Sequence, residues 1–599
     1  MSGLVTRQYR IHLAEQLVES FTEASPTRFY YFIGKNYPYA NTVQLTGTVK
    51  TTTSSNTIVG QGTVFTTQLA VGDIVAMTGQ ANTVRVHSIS SAQTFITALR
   101  PTTSITTGAN AYIRKQFSES NPPTQTDNYQ DVYYDVWRNM IAVKRVQSSD
   151  ITLAALRNDW ANNTAYVQYT DTNASLNTQD FFVMTDSYNV YKCLDNNRDA
   201  NSVVKPTGTS TAILSTADGY RWKYMYTITT AEASKFLTSA RIPVKTLTAN
   251  DGSAQWAVQQ AASNGVINHI AVVANGANYL HLSNTFGSVT NGSSMTLAGG
   301  SSAVDDIYNY SAVYISSGLG SGQIRKIINY VGSSKTITVN NAFAVTPNTS
   351  SGYIVSPLVS VRGDSGGTTT SRATAYVANT FGGQVRKITI INPGRSYSTA
   401  NIAITANSSH GSGATGTVII SPQGGHGSDP ADELYGHDAI LNIQVSGSES
   451  NTFPTNNDFR VIGILRDPRL ANNGIANTSV IDQTTRVTVA QVTGDFTADE
   501  VVTGATNGAR ARLLYFANTN AARTSGVLKF VNIATNGIGI GFTAGETVTG
   551  ATSGITANVQ SVTAPALKKY SGLVMYVENR IPITRASDQI EDVKISIVL

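Results

Sequence analysis

The densest cluster of potential ligands in this sequence is Gly424-Gly-His-Gly-Ser-Asp-Pro-Ala-Asp-Glu433, with His437-Asp438 just beyond it and His410 upstream. Imidazole nitrogens and carboxylates crowded in this way can hold a divalent cation, and His426, Asp429 and Glu433 are the first candidates. The spacing argues for something plainer. No His-x-x-x-His pair sets two imidazoles on one helix face, and Pro430 followed closely by acids is the pattern of a helix start. The cluster reads first as an ordered turn leading into a short helix, with an ion site as the open alternative. No catalytic, cofactor-binding or metal-ligating residue is assigned.

Three other motifs invite chemistry. Gly363-Asp-Ser-Gly-Gly367 matches the nucleophile loop of chymotrypsin-like proteases, but a serine such as Ser365 needs a histidine base oriented by a buried carboxylate. None of the seven histidines lies in the Ala-Ala-His-Cys setting of that family, and the two nearest upstream, His269 and His281, sit in repetitive β-sequence. The loop therefore reads as a glycine-rich turn between Val359-Ser-Val-Arg362 and Ala373-Thr-Ala-Tyr-Val377. The embedded Arg362-Gly363-Asp364 is too short to carry weight. Gly411-x-Gly413-x-x-Gly416 has the form of a dinucleotide fingerprint, yet Thr417-Val-Ile-Ile420 continues as a strand where a helix is required. Cys193, the only cysteine, sits in an alternating apolar strand and reads as a buried small hydrophobe. Glu578 and Arg580 flank Asn579 and could pair as ions, buried or at an interface.

Composition narrows the function classes. Only 13% of the 599 residues are charged, against roughly 25% in ordinary globular proteins. Thr, Ser, Asn and Gly fill the difference, which suits many short strands joined by tight turns. A net charge of +5 is mild over such a length and no basic stripe is present, so nucleic-acid binding is not expected. One cysteine permits no intrachain disulfide and fits folding in a reducing cytoplasm. Met1-Ser-Gly-Leu-Val-Thr-Arg7 has no apolar signal core, and no run approaches about 18 apolar residues, so neither export by that route nor a membrane span is expected.

The chain is long enough for about three to five domains. The fold class expected is mainly β and multidomain. A β-rich core with a few short helices is interrupted by small β-barrel or β-sandwich insertions. Residues 1–42 begin the core, with Ala14, Leu17, Val18 and Phe21 at helical spacing and an aromatic strand at Phe29-Tyr-Tyr-Phe-Ile33. Residues 43–115 form an inserted β-module. Residues 116–250 return to the core: Val132, Val136 and Met140 line a helix face beside Trp137. Tyr220, Trp222, Tyr224, Tyr226 and Ile228 form the aromatic face of a half-buried strand, and Thr229-x-x-Glu232 is a capping box. Residues 251–425 are repetitive β-modules, in which Gly265 to Tyr279 aligns with Gly383 to Tyr397 and about 285–355 is nested. Residues 426–484 and 563–599 are core again. Between them, 485–562 holds a two-copy repeat, Phe496 to Gly508 matching Phe542 to Gly554. In the final strand Val593, Ile595, Ile597 and Leu599 share a face, which predicts docking into a core built earlier.

Four islands outside the repetitive blocks carry a family resemblance. Gly572-x-x-Met575-Tyr576-x-Glu578-Asn579-Arg580-x-Pro582-Ile583, followed by Asp588-Gln589, resembles the C-terminus of the T4-type baseplate wedge subunit known as gene product eight. Val190-Tyr-Lys-Cys-Leu-Asp195, Asp218-Gly-Tyr-Arg-Trp-Lys-Tyr224 and Asp458-Phe-Arg-Val-Ile-Gly-Ile464 are similar to other segments of that family, in the same order. The resemblance implies a structural, non-enzymatic component of a contractile bacteriophage tail. It would be assembled in the host cytoplasm and located in the virion baseplate. It would be a homodimer contacting other wedge proteins, with a part in baseplate rearrangement on contraction. The alternative expectation is a tail fibre or spike that binds host-surface polysaccharide, as a trimer. An enzyme, through Ser365 or through paired carboxylates across a sugar, ranks behind both.

Overall fold

The computed structural model describes residues 7–36, 43–69, 71, 73–113, 120, 122, 129–173, 175–364, 372–407, 409–455, 457–506, 508–534 and 541–599. The protein is mainly β and multidomain, with 45% strand and 9% helix. It divides into two compact units. One comprises Met1–Val18, Thr152–Ile440 and Lys594–Leu599; the other comprises Glu19–Ile151 and Leu441–Val593. The segments 116–250, 426–484 and 563–599 contribute strand residues to both, whereas 1–42 contributes the strand Phe29–Gly34 to the second.

In the first unit, a four-stranded sheet has the order Phe182–Met184, Asn189–Asp195, Arg221–Thr227, Leu214–Ser215. The aromatic alternation of Arg221–Thr227 holds only in part. Tyr220, Trp222 and Tyr224 enter a core with Tyr166, Val183, Tyr191 and Cys193, whereas Tyr226 packs with Met225 in a different core. A bulge causes the switch: Val190 faces Tyr226 while Tyr191 faces Tyr224, so Met225 is the extra residue. The strand is buried on both faces rather than half-buried, as Trp222 and Lys223 show ahead of the bulge. The helix Thr230–Phe236 follows, started by the reciprocal Thr229–Glu232 capping box.

Downstream in the same unit, Ile267–Ala277 pairs with Ser412–Ile420, and a four-stranded sheet joins Gln384–Asn392, Thr374–Phe381, Leu358–Gly363 and Ala400–Thr405. One core, containing Ile267, Tyr279, Val377, Val385, Tyr397 and Val418, serves both sheets. The chain between them, from Leu282 to Ser356, forms a seven-stranded sheet around its own core of Phe286, Met295, Tyr330 and Tyr353.

The second unit contains a five-stranded sheet in the order Val480–Asp482, Met140–Arg145, Phe29–Gly34, Asp458–Arg466, Leu573–Thr584. The unbroken apolar run of Phe29–Gly34 is central and fully buried, as a strand covered on both faces requires. Gly463 lies opposite Phe32; a Cβ there would meet the Phe32 ring at 2.4 Å and the Tyr576 carbonyl at 2.2 Å. The helix Tyr129–Asn139 brings Val136 and Trp137 into this core, and Met140 opens the next strand instead of closing the helix.

Residues Val43 to Ile113 make an eight-stranded sheet around Leu45, Ile58, Phe65, Val75 and Phe95. A closed six-stranded barrel follows in the order Thr485–Ala490, Ser525–Ala534, Arg510–Asn518, Val501–Gly504, Thr547–Gly550, Thr556–Thr563. Phe496 and Val502 from one copy of the repeat share its core with Phe542 and Val548 from the other. Val502 faces Gly550 and Gly504 faces Val548, so the copies meet antiparallel. Each copy's glutamate caps the other's turn: Glu500 accepts from the amides of Thr552 (2.9 Å) and Ser553 (3.0 Å), and Glu546 accepts from Thr506 (3.0 Å).

Candidate functional site

The His426, Asp429 and Glu433 side chains do not converge as a ligand set. Asp429 caps the helix Pro430–Glu433, its carboxylate accepting from the Asp432 amide at 3.0 Å and from the Thr246 hydroxyl. Glu433 accepts from the Lys192 ammonium at 2.8 Å and from the Gly427 amide at 2.6 Å. Lys192 also lies 3.8 Å from the centre of the Tyr169 ring. The ammonium of Lys192 therefore sits against the carboxylate that a metal ion would have used. His426 Nδ1 is 3.8 Å from Glu433, too far for a hydrogen bond, and has no partner.

Burial raises the proton affinity of Glu433, but the charge and hydrogen bond of Lys192, together with the neighbouring His426, outweigh it and hold the carboxyl down at about 2. Burial, reinforced by Lys192, pushes His426 down to about 4. At neutral pH the cluster is a buried Lys–Glu ion pair beside a neutral imidazole. The His410 amide donates to Asn407 in a separate turn. His437 lies 3.9 Å from Asp438, which is paired with Arg241. Among the described residues, no group of three or more His, Cys, Asp or Glu side chains is placed to hold a metal ion.

Ser365 lies outside the described residues. Its neighbour Asp364 accepts from the amides of Ser398 (3.0 Å) and Thr399 (2.9 Å) and from the Ser398 hydroxyl, bonds that lower its carboxyl to about 2. It clasps a turn. His269 faces Asp195 at 3.4 Å, and burial lowers its proton affinity. Gly411 precedes a strand and leaves room for the Tyr279 ring, which a Cβ would meet at 2.2 Å. Cys193 is wholly buried, and burial pushes its thiol well above the ordinary range, so it is no thiolate at neutral pH.

The C-terminal residues have a different character. Leu573–Thr584 is an edge strand of its sheet, and Leu573, Met575, Tyr576 and Ile581 on it are exposed. Glu578 and Arg580 pair at 2.7 Å in solvent rather than in a core. Val593, Ile595, Ile597 and Leu599 are half-buried, not buried, because Ile590–Val598 is also an edge strand. A long apolar edge offers unpaired backbone groups and side chains to another chain.

One cluster had only a faint signal in the sequence. Lys35, fully buried, pairs with Asp458 and, at 2.7 Å, with Asp499, which ties the barrel to the five-stranded sheet within the second unit. The clue is that Asp499 stands where the second repeat copy has Gly545, both at positive φ. Asn457 Nδ2 to the Leu514 carbonyl and Lys529 to Asp482 (2.8 Å) reinforce the tie.

No family model matches the chain, and no curated protein matches it either.

Proposed function

We propose that this chain is a structural subunit of the baseplate wedge of a contractile phage tail. It acts by protein–protein assembly in the virion and takes part in the rearrangement of the plate on contraction. One observation carries the reading: the four family-like islands fold as two pairs of adjacent strands. Asn189–Asp195 is hydrogen-bonded to Arg221–Thr227, and Asp458–Arg466 to Leu573–Thr584. Asp458–Arg466 and Leu573–Thr584 are thus partners although the two-copy repeat of 485–562 lies between them, as expected if they belong to one ancestral framework interrupted by an insertion. The apolar terminal edge supports a role in assembly, and a second copy and other wedge proteins are its expected occupants.

Light scattering on the purified chain tests the stoichiometry. A dimer is expected, and a stable trimer would move the assignment to a fibre or spike. Localising the chain in a map of its particle tests the placement, and a position outside the baseplate overturns it.

A further inference from the structure

We propose that the turn Lys568-Lys569-Tyr570 and the first half of the terminal edge strand, Leu573 to Val577, together with Tyr134 on the neighbouring helix, form a docking site for an extended acidic segment of a partner protein. The inference deepens the assembly reading and rests on it. The distal half of the strand is blunted against added strands: Pro582 lacks an amide donor, and three residues stand opposite Arg460 alone. The first half has no proline, and the bulge at Met575 leaves both Met575 and Tyr576 in solvent.

Beside it stands an aromatic group of the kind that anchors interfaces. Tyr134 and Tyr570 meet edge to face at 4.9 Å, both about half exposed, and Tyr133 donates to the Gly572 carbonyl at 3.1 Å. Tyr570 is held at φ 61°, a left-handed conformation that costs a side-chain-bearing residue about 1 kcal/mol, so the turn that presents its ring is over-determined by its surroundings. The local charge selects the partner. Lys568 and Lys569 are both exposed, and the nearby charge of Arg138 repels the Lys569 ammonium. An incoming carboxylate relieves that repulsion, whereas a basic segment increases it.

The test is fluorescence anisotropy of the full chain with a labelled alternating Glu-Val octapeptide and a Lys-Val control. The acidic peptide is expected to bind and the basic one not. Lys568→Glu with Lys569→Glu, and separately Tyr570→Ala, are each expected to weaken binding about tenfold or more, with circular dichroism unchanged. Equal binding by wild type and both variants, no binding of the acidic peptide, or preference for the basic peptide would overturn the site. None of those outcomes bears on the chain's position in a particle, which the map decides separately.

Discussion

Tyr279 and Tyr397 occupy equivalent places in one core through a reciprocal exchange. The amide of Tyr397 donates to the carbonyl of Gly265 at 3.1 Å, and the amide of Tyr279 donates to the carbonyl of Gly383 at 2.8 Å. Gly265 and Gly383 open the two aligned segments and both take positive φ, as do Asn278 and Ser396 just before the tyrosines. Each copy of the repeat thus completes the other, and neither can close its core alone.

The tyrosine hydroxyls extend the equivalence. Tyr279 accepts from the Ala414 amide at 3.1 Å, and Tyr397 accepts from the Ala373 amide at 2.9 Å. Tyr279→Phe and Tyr397→Phe each leave a backbone amide without its acceptor, at a cost of about 1–3 kcal/mol. Hydrogen exchange across residues 265–279 and 383–397 is expected to quicken similarly in the two variants. A response confined to one copy would contradict the reciprocal arrangement.

The same substitution has the opposite sign at Tyr31. Its hydroxyl is buried without a hydrogen-bond partner, and burial drives its pKa upward. Tyr31→Phe removes an uncompensated polar group and is expected to be neutral or stabilising by about 1 kcal/mol. A lowered thermal midpoint would show that the hydroxyl is satisfied after all.

The Lys192–Glu433–His426 cluster sets a pH dependence. His426 titrates at about 4 in the folded protein against an ordinary 6.5, so the unfolded chain takes up that proton first. Glu433 repeats the pattern at about 2 against 4.5. Both folded values are depressed, so both contributions are complete above the ordinary values and are lost as pH falls. The thermal midpoint is expected to drop from about pH 6.5 downward, first through His426 and then through Glu433. His426→Gln removes the upper part of that slope. Lys192→Met strands the buried carboxylate, costing about 3–5 kcal/mol, and adding Glu433→Gln recovers part of the loss. If the single and double variants were equally unstable, the ion pair would not be the cause.

Gly463→Ala tests the packing of the second unit. The new methyl would collide with the Phe32 ring and the Tyr576 carbonyl, so a loss of about 1–3 kcal/mol is expected by denaturant unfolding. Combining it with Phe32→Leu should recover part of the loss. Absence of any recovery would place the strain on the backbone instead.

Local periodicity and composition settled a good deal without coordinates. The mainly-β class followed from strand-forming polar residues and frequent turns. The aromatic strand at Phe29–Ile33, the Thr229–Glu232 capping box and the turn at Gly411 were each legible because the causes lie within a few residues. Tertiary structure decided what depends on distant partners. Glu433 is neutralised by Lys192, 241 positions away, which no spacing rule could anticipate. The bulge at Met225 redirected Tyr226 to another core, although the alternation in sequence was unbroken. The terminal strands look alike in sequence whether central or at an edge, because their pattern records which residues are apolar and not how many neighbours the sheet supplies. Only the strand order left Leu573–Thr584 at an edge, with Leu573, Met575, Tyr576 and Ile581 in solvent.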